Sequence, residues 1–105
     1  MLAKTRYVAQ LLERYRKLPG TLGRVLRDDR QTALALHHRR IGLDVVEQAF
    51  VLALARRSVN PRREPIRTLR YFLPVIEEIL HSPPHTAYLQ QIERQLRDAG
   101  LDPPA

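Results

Sequence analysis

Cysteine is absent from this 105-residue sequence, which excludes disulfides, thiol catalysis and cysteine-ligated metal centres. Tryptophan is also absent, and the four glycines are scattered, so the sequence contains no glycine-rich phosphate loop. No stretch approaches the ~20 consecutive apolar residues that a membrane span needs. Residues 1–7 lack the apolar run of a signal peptide, and we therefore expect a cytoplasmic protein.

The hydrophobic pattern predicts an all-α protein. Apolar residues recur at spacings of three and four, and no segment alternates over the length of a strand. Breakers such as Pro19-Gly20 and Ser82-Pro83-Pro84 separate the periodic segments. We predict one domain, residues 1–105, forming a compact bundle of about five helices at 3–18, 29–40, 44–58, 66–81 and 84–99, with 101–105 as a frayed tail.

The third predicted helix is apolar over most of its circumference, which places it at the centre of the bundle. Asp28 and Asp44 are predicted to cap the second and third helices, with Glu47 completing a capping box for the third. Residues 21–26 are ambiguous and could form one helical turn capped by Thr21. Pro74 must either kink the fourth helix or stand at the first position of a new one.

Residues 34–50 have the outline of a helix-turn-helix, with a tight turn at Ile41-Gly42-Leu43. The start of the second helix offers Asp44 and Glu47, and acids there would repel DNA phosphates. We interpret this unit as a structural angular turn rather than a base-reading element.

Positive charge is concentrated in the first two thirds of the chain. The net charge is +7, but residues 1–70 alone carry +10 and residues 71–105 carry −3. Of the 18 basic residues 16 are arginine, whose planar fork binds two phosphate oxygens at once. This distribution predicts a face that binds nucleic acid, DNA or RNA with DNA favoured, formed by Arg39, Arg40, Arg56, Arg57, Arg62, Arg63, Arg67 and Arg70.

Other residues give weaker functional signals. Base stacking would depend on Tyr7, Tyr15, Tyr71 or Phe72, most of which fall on core stripes. The four-residue spacing of His81 and His85 could suit zinc, but prolines interrupt it. Glu77 and Glu78 point about 100° apart on a helix, and we expect them to face solvent or to pair with Arg67 or Arg70. We predict no enzyme, cofactor or metal site.

Residues 66–80 (IRTLRYFLPVIEEIL), preceded by 43–57 (LDVVEQAFVLALARR), resemble small helical domains of bacterial mobile-element and replication-initiator proteins. The same region is similar to the DnaD-type primosomal domain, in which a tyrosine, an aliphatic residue and a tryptophan follow at intervals of four. Tyr71, Val75 and Ile79 have this spacing, with isoleucine in place of the tryptophan. The resemblance implies single-stranded DNA binding or self-association in replication or mobile-element handling.

Two functional hypotheses follow from the sequence. The first is an accessory module that binds nucleic acid through arginine–phosphate contacts with weak sequence preference. The alternative is a protein–protein interaction module, including one that forms a homodimer. In such a module the acidic end of one chain meets the basic face of another, or two chains share an apolar helix stripe. The candidates for the shared stripe are the first and the fifth predicted helix. The residues of the fifth helix that are predicted to point inward are Tyr88, Leu89, Ile92 and Leu96.

Overall fold

The computed structural model of the protein describes residues 3–60 and 64–101. Its helices are α1 (Lys4–Lys17), α2 (Arg27–His38), α3 (Leu43–Val59), α4 (Leu73–His81) and α5 (Thr86–Asp98), and a 3₁₀ turn (Leu69–Phe72) leads directly into α4. The prediction of an all-α bundle is confirmed. The likeness of α2, the turn and α3 to a helix-turn-helix stays a prediction.

Helix α3 lies at the centre of the bundle, as predicted. It packs against α1, α4, α5 and the 3₁₀ turn, while α2 packs against α1 and the 3₁₀ turn. Seven residues of α3 between Val46 and Leu54 are buried, six of them in the unbroken run from Ala49 to Leu54. A helix that is apolar all round can be stable in water only when neighbours cover it on every side. The buried stretch of α3 therefore cannot enter a nucleic-acid groove, and the exposed residues of the helix lie at its two ends.

The predicted helix caps are wrong. Helix α2 begins two residues earlier than expected, with Leu26 as its N-cap, and α3 begins after Gly42. Asp29 occupies the third position of α2, from which its carboxylate reaches back to the Leu26 N–H. Asp44 makes no capping hydrogen bond, and Glu47 pairs with Arg14 of α1 instead.

The segment before the 3₁₀ turn is not helical, contrary to the predicted helix start at Ile66. The Ile66 N–H donates to the Gly20 carbonyl at 2.7 Å, and Ile66 forms an isolated parallel bridge with Thr21. Thr21 therefore caps no helix, and its hydroxyl donates to the Leu18 carbonyl at 2.9 Å. Pro74 stands in the first turn of α4, which decides between the two alternatives in favour of a new helix.

Helix α5 differs from its prediction in the residues that it buries. Ile92 and Leu96 are buried as expected, but Leu89 is only partly covered and Tyr88 is 51% exposed. Gly100 follows the helix in the left-handed region (φ +78°), as predicted for its C-terminal turn. The predicted frayed tail, apart from Leu101, lies outside the described residues.

Two tyrosines of α1 are buried, and they differ in whether the hydroxyl group makes a hydrogen bond. The Tyr7 hydroxyl donates to the Ile41 carbonyl at 2.7 Å, which fastens the α2–α3 turn to α1. The Tyr15 ring packs edge-on against Phe72, and its hydroxyl has no partner within the part of the chain that the structure describes. A buried hydroxyl without a partner retains the cost of leaving water.

We expect Tyr15→Phe to leave the free energy of unfolding unchanged or to raise it by up to about 1 kcal/mol, because it removes an unsatisfied hydroxyl. Tyr7→Phe serves as the matched comparison and should lower that free energy by about 1–2 kcal/mol, because the Ile41 carbonyl loses its donor. Urea denaturation followed by circular dichroism measures both. A larger loss for Tyr15→Phe than for Tyr7→Phe would contradict this assignment.

Candidate nucleic-acid interface

A buried carboxylate joins the start of α2 to the 3₁₀ turn. Asp29 is fully buried, and its Oδ1 accepts a hydrogen bond from the Leu69 N–H at 2.8 Å. Its Oδ2 accepts from the Leu26 N–H at 2.9 Å. One side chain therefore ties together the loop before α2, the helix itself and a segment 40 residues further along the chain.

Directly above this junction, an ion pair joins the same two segments at the surface. The guanidinium of Arg70 lies 3.0 Å from Asp28 Oδ1, and both side chains are largely exposed. The two contacts bring segment 24–30 against segment 67–70. The arginine face, as we name it, consists of the five exposed arginines of these segments: Arg24, Arg27, Arg30, Arg67 and Arg70.

The arginine face has a strong excess of positive charge. Its two segments contain five arginines and two aspartates. Asp29 is buried beneath the surface, so Asp28 is the acid that competes for these guanidinium groups from within the two segments. Exposed arginines on adjoining segments raise the local concentration of anions and suit the bidentate binding of phosphate.

Only two of the eight predicted site residues, Arg67 and Arg70, belong to the arginine face. The other three members were not among the predicted site residues. A sequence signal for them exists, since Arg24, Arg27 and Arg30 recur at every third position up to and into α2. Their proximity to Arg67 depends on the Asp29 and Asp28 contacts, which no local pattern encodes.

Two other predicted site residues, Arg39 after α2 and Arg56 on α3, are paired with the acids of α4. Arg39 contacts Glu77 at 2.5 Å, and Arg56 forms a two-pronged pair with Glu78. The expected pairing of these acids with Arg67 or Arg70 is wrong, because α4 packs on α3 and the end of α2 comes close to it. Hydrogen bonds from the two arginines lower the pKa of the Glu77 and Glu78 carboxyls from their usual value.

The side chain of Arg57, another predicted site residue, contacts the chain just before the 3₁₀ turn and the Tyr71 ring. Its guanidinium donates to the Glu64 carbonyl at 2.9 Å and lies 5.8 Å from the centre of the Tyr71 ring. It thus holds the chain entering the 3₁₀ turn against the end of α3. Arg62 and Arg63 lie outside the described residues.

Arg40 lies in the turn after α2, at the end of that helix opposite to the arginine face. It is exposed and adopts a left-handed conformation (φ +58°), a position that glycine usually fills. The predicted site residues therefore do not form one continuous stripe. The structure instead brings Arg70 to the start of α2 and sets Arg39 and Arg56 against the acids of α4.

Among the aromatic residues considered for base stacking, three are core residues: Tyr7, Tyr15 and Phe72. Tyr71 is 38% exposed and directly follows Arg70 of the arginine face. Arg57 and the edge of Phe72 hold its ring in place. Tyr71 is consequently the member of this set that can meet a base.

The histidines show no arrangement for chemistry. The His37 ring packs edge-on against Tyr7 with 5.1 Å between ring centres, whereas His38 is exposed. Within residues 3–60 and 64–101, no group of three or more histidines and acids could hold a metal ion. No helix in these ranges has the length and apolar character needed to cross a membrane.

Comparison of the chain with protein-family models, with curated proteins and with solved structures gives no match.

Proposed function

We propose that this protein binds nucleic acid through contacts between the arginine face and backbone phosphates. The observation that carries the proposal is the junction at Asp28 and Asp29, which joins two distant segments that contain five exposed arginines. Release of counterions from the phosphates would supply most of the affinity. Contacts of this kind do not distinguish sequences.

Side-chain chemistry next to Arg70 narrows the class of nucleic acid to unpaired strands. Tyr71 offers an exposed ring beside Arg70, and aromatic rings next to basic residues are typical of proteins that bind unpaired bases. The resemblance of residues 43–80 to replication-initiator and mobile-element domains makes DNA the first candidate, and replication or mobile-element handling the proposed setting. A non-enzymatic role remains our prediction.

Replacing Arg67 and Arg70 together by glutamine tests the proposal. We expect affinity for single-stranded DNA to fall about tenfold at low salt, to the same extent for every sequence, because the lost contacts are to phosphates. The slope of log K against log salt concentration should become shallower by about 1.4, the value for two contacts on a single strand. Fluorescence anisotropy of labelled oligonucleotides across a salt series measures both.

Arg94 and Arg97 of α5 give a matched control, since they have the same spacing and lie far along the chain from the arginine face. Arg94→Gln/Arg97→Gln should bind as the wild type does. Equal losses for both double variants would show that net charge alone drives binding. Undetectable binding of the wild type to single-stranded DNA, duplex DNA and RNA at low salt would refute the proposal.

A second candidate function is self-association, and a specific apolar surface favours it. Val59 (78% exposed) and Tyr88 (51% exposed) line one groove of about 300 Å³ between α3 and α5. Exposed large apolar side chains that share a groove are typical of contact surfaces. Light scattering that finds a monomer at high protein concentration would exclude this candidate without bearing on the first.

A further inference from the structure

A groove runs between α2 and the beginning of α4, beside the arginine face. Its volume is about 270 Å³, slightly below the ~300–1,000 Å³ of pockets that enclose drug-sized ligands. Ala35, Leu36 and Leu73 form an apolar floor, and Arg39 and Arg70 are also part of its wall. The groove is thus apolar in its lining with two cations at its border.

The two arginines approach the groove from opposite ends of α2. Arg70 is paired with Asp28 in the first turn, and Arg39 follows the last turn. Arg39 lies eleven positions after Asp28, which corresponds to about 16 Å along the helix axis. An anionic group can therefore be bound at each end of the groove.

Both arginines are held by exposed carboxylates, and these contacts can exchange. The side chains of the Arg39–Glu77 pair are 51% and 43% exposed, and those of the Arg70–Asp28 pair are 63% and 48% exposed. Pairs so open to water contribute little to stability. A phosphate, which accepts two parallel hydrogen bonds from a guanidinium, can take the place of either carboxylate.

Gln31 supplies a polar group at the same groove. It is exposed, and the structure gives its side-chain amide no hydrogen bond to any described residue. An amide both donates and accepts, which matches the edge of an unpaired base. A flat apolar ring with a polar edge and an anion on either side is the repeating unit of a single-stranded nucleic acid.

We infer that this groove receives an unpaired nucleobase of a single strand, while phosphates of the same strand lie on Arg39 and Arg70. The inference rests on the proposed function and deepens it, because it names the part of the ligand that enters the fold. A base that is stacked and paired in a duplex cannot enter the groove. The protein therefore binds single strands more tightly than duplexes of the same length.

Oligonucleotides that lack bases provide the test. Anisotropy is measured with a labelled single-stranded 12-mer of thymidine and with a 12-mer of equal phosphate number whose central nucleotides are abasic. Wild-type protein should bind the complete strand about tenfold more tightly, the effect expected for one base held on a protein surface. Equal affinities would overturn the inference while leaving phosphate binding by the arginine face intact, and no binding to either strand would refute both proposals.

Substitutions that fill the groove measure its contribution to binding separately from that of the rest of the surface. Ala35 is exposed on α2, and Ala35→Phe should reduce affinity for the complete strand to that for the abasic strand. Ala87→Phe, at an exposed alanine of α5, is the matched control and should retain the tenfold preference. Ala35→Leu gives a second variant, because leucine is a stronger helix former than phenylalanine, and its fold is checked by circular dichroism.

Two results with the filled groove would also overturn the inference. The first is an undiminished preference of both Ala35 variants for the complete strand. The second is binding of polyglutamate as tight as that of the complete strand, lost in Ala35→Phe, which would identify an acidic peptide as the occupant.

Discussion

Replacing Asp29 by alanine should lower the free energy of unfolding by about 3–5 kcal/mol, the largest effect that we expect from a single substitution. The carboxylate is fully buried and accepts two backbone hydrogen bonds, from Leu26 and Leu69. Alanine would leave both N–H groups without a partner in the interior, and each unmade bond costs free energy. For a domain whose total stability is about 5–15 kcal/mol, this loss approaches unfolding.

Asp28→Ala is the control for this prediction. The two aspartates are neighbours at the start of α2, but Asp28 makes an exposed ion pair with Arg70, and its loss should cost less than about 1 kcal/mol. Asp29→Asn retains one acceptor and should fall between the two. Urea denaturation of the three variants measures the differences, and comparable losses for Asp28→Ala and Asp29→Ala would show that the junction does not depend on the buried carboxylate.

Alkaline unfolding between pH 10 and 12 is the second large effect that we expect. Burial raises the pKa of Tyr7 and of Tyr15 from 10.0 to about 12, and the charge of Asp29 adds to the shift at Tyr15. Between these pH values the unfolded chain releases the two phenolic protons while the folded chain retains them. The folded state then binds more protons, so stability falls as pH rises, by about 2–3 kcal/mol for each tyrosine.

Circular dichroism and phenolate absorbance, recorded together during an alkaline titration, measure this effect. Helix signal should be lost in the same pH range in which the buried phenols ionise, and neutralisation should restore it. Arginine keeps its charge throughout this range, and the sequence contains only two lysines, so loss of cations explains little of the transition. Tyr15→Phe, which removes one of the two groups, should make the decline with pH less steep, and a fold that is stable through pH 12 would contradict the prediction.

The helical architecture could be predicted from the sequence because its signals are local. The apolar periodicity of α1, the continuous apolar run of α3 and the breakers at Pro19 and Pro83 act over a few residues, and the structure follows them. Helix ends were predicted less well. Asp29 reaches back to the N-cap from the third helical position, a geometry that the neighbouring Asp28 conceals in the sequence.

The candidate site depended on contacts that no local pattern contains. Among the predicted arginines, Arg67 and Arg70 share a surface, whereas Arg39 and Arg56 meet the acids of α4. Arginine side chains are long and flexible, so their partners depend on which helices pack together. Arg24, Arg27 and Arg30 become part of the interface only because a segment 40 residues away is held against α2.

The sequence by itself determined that the chain is helical, that α3 is central and that the positive charge lies in the first two thirds. Each of these properties depends on composition or on the 3.6-residue repeat, which act without knowledge of the fold. Only the tertiary structure decided which charges are neighbours and where a groove opens between them. A hydrogen bond or an ion pair requires its atoms within a few ångströms, and for segments far apart in the chain that distance is set by the packing of the core.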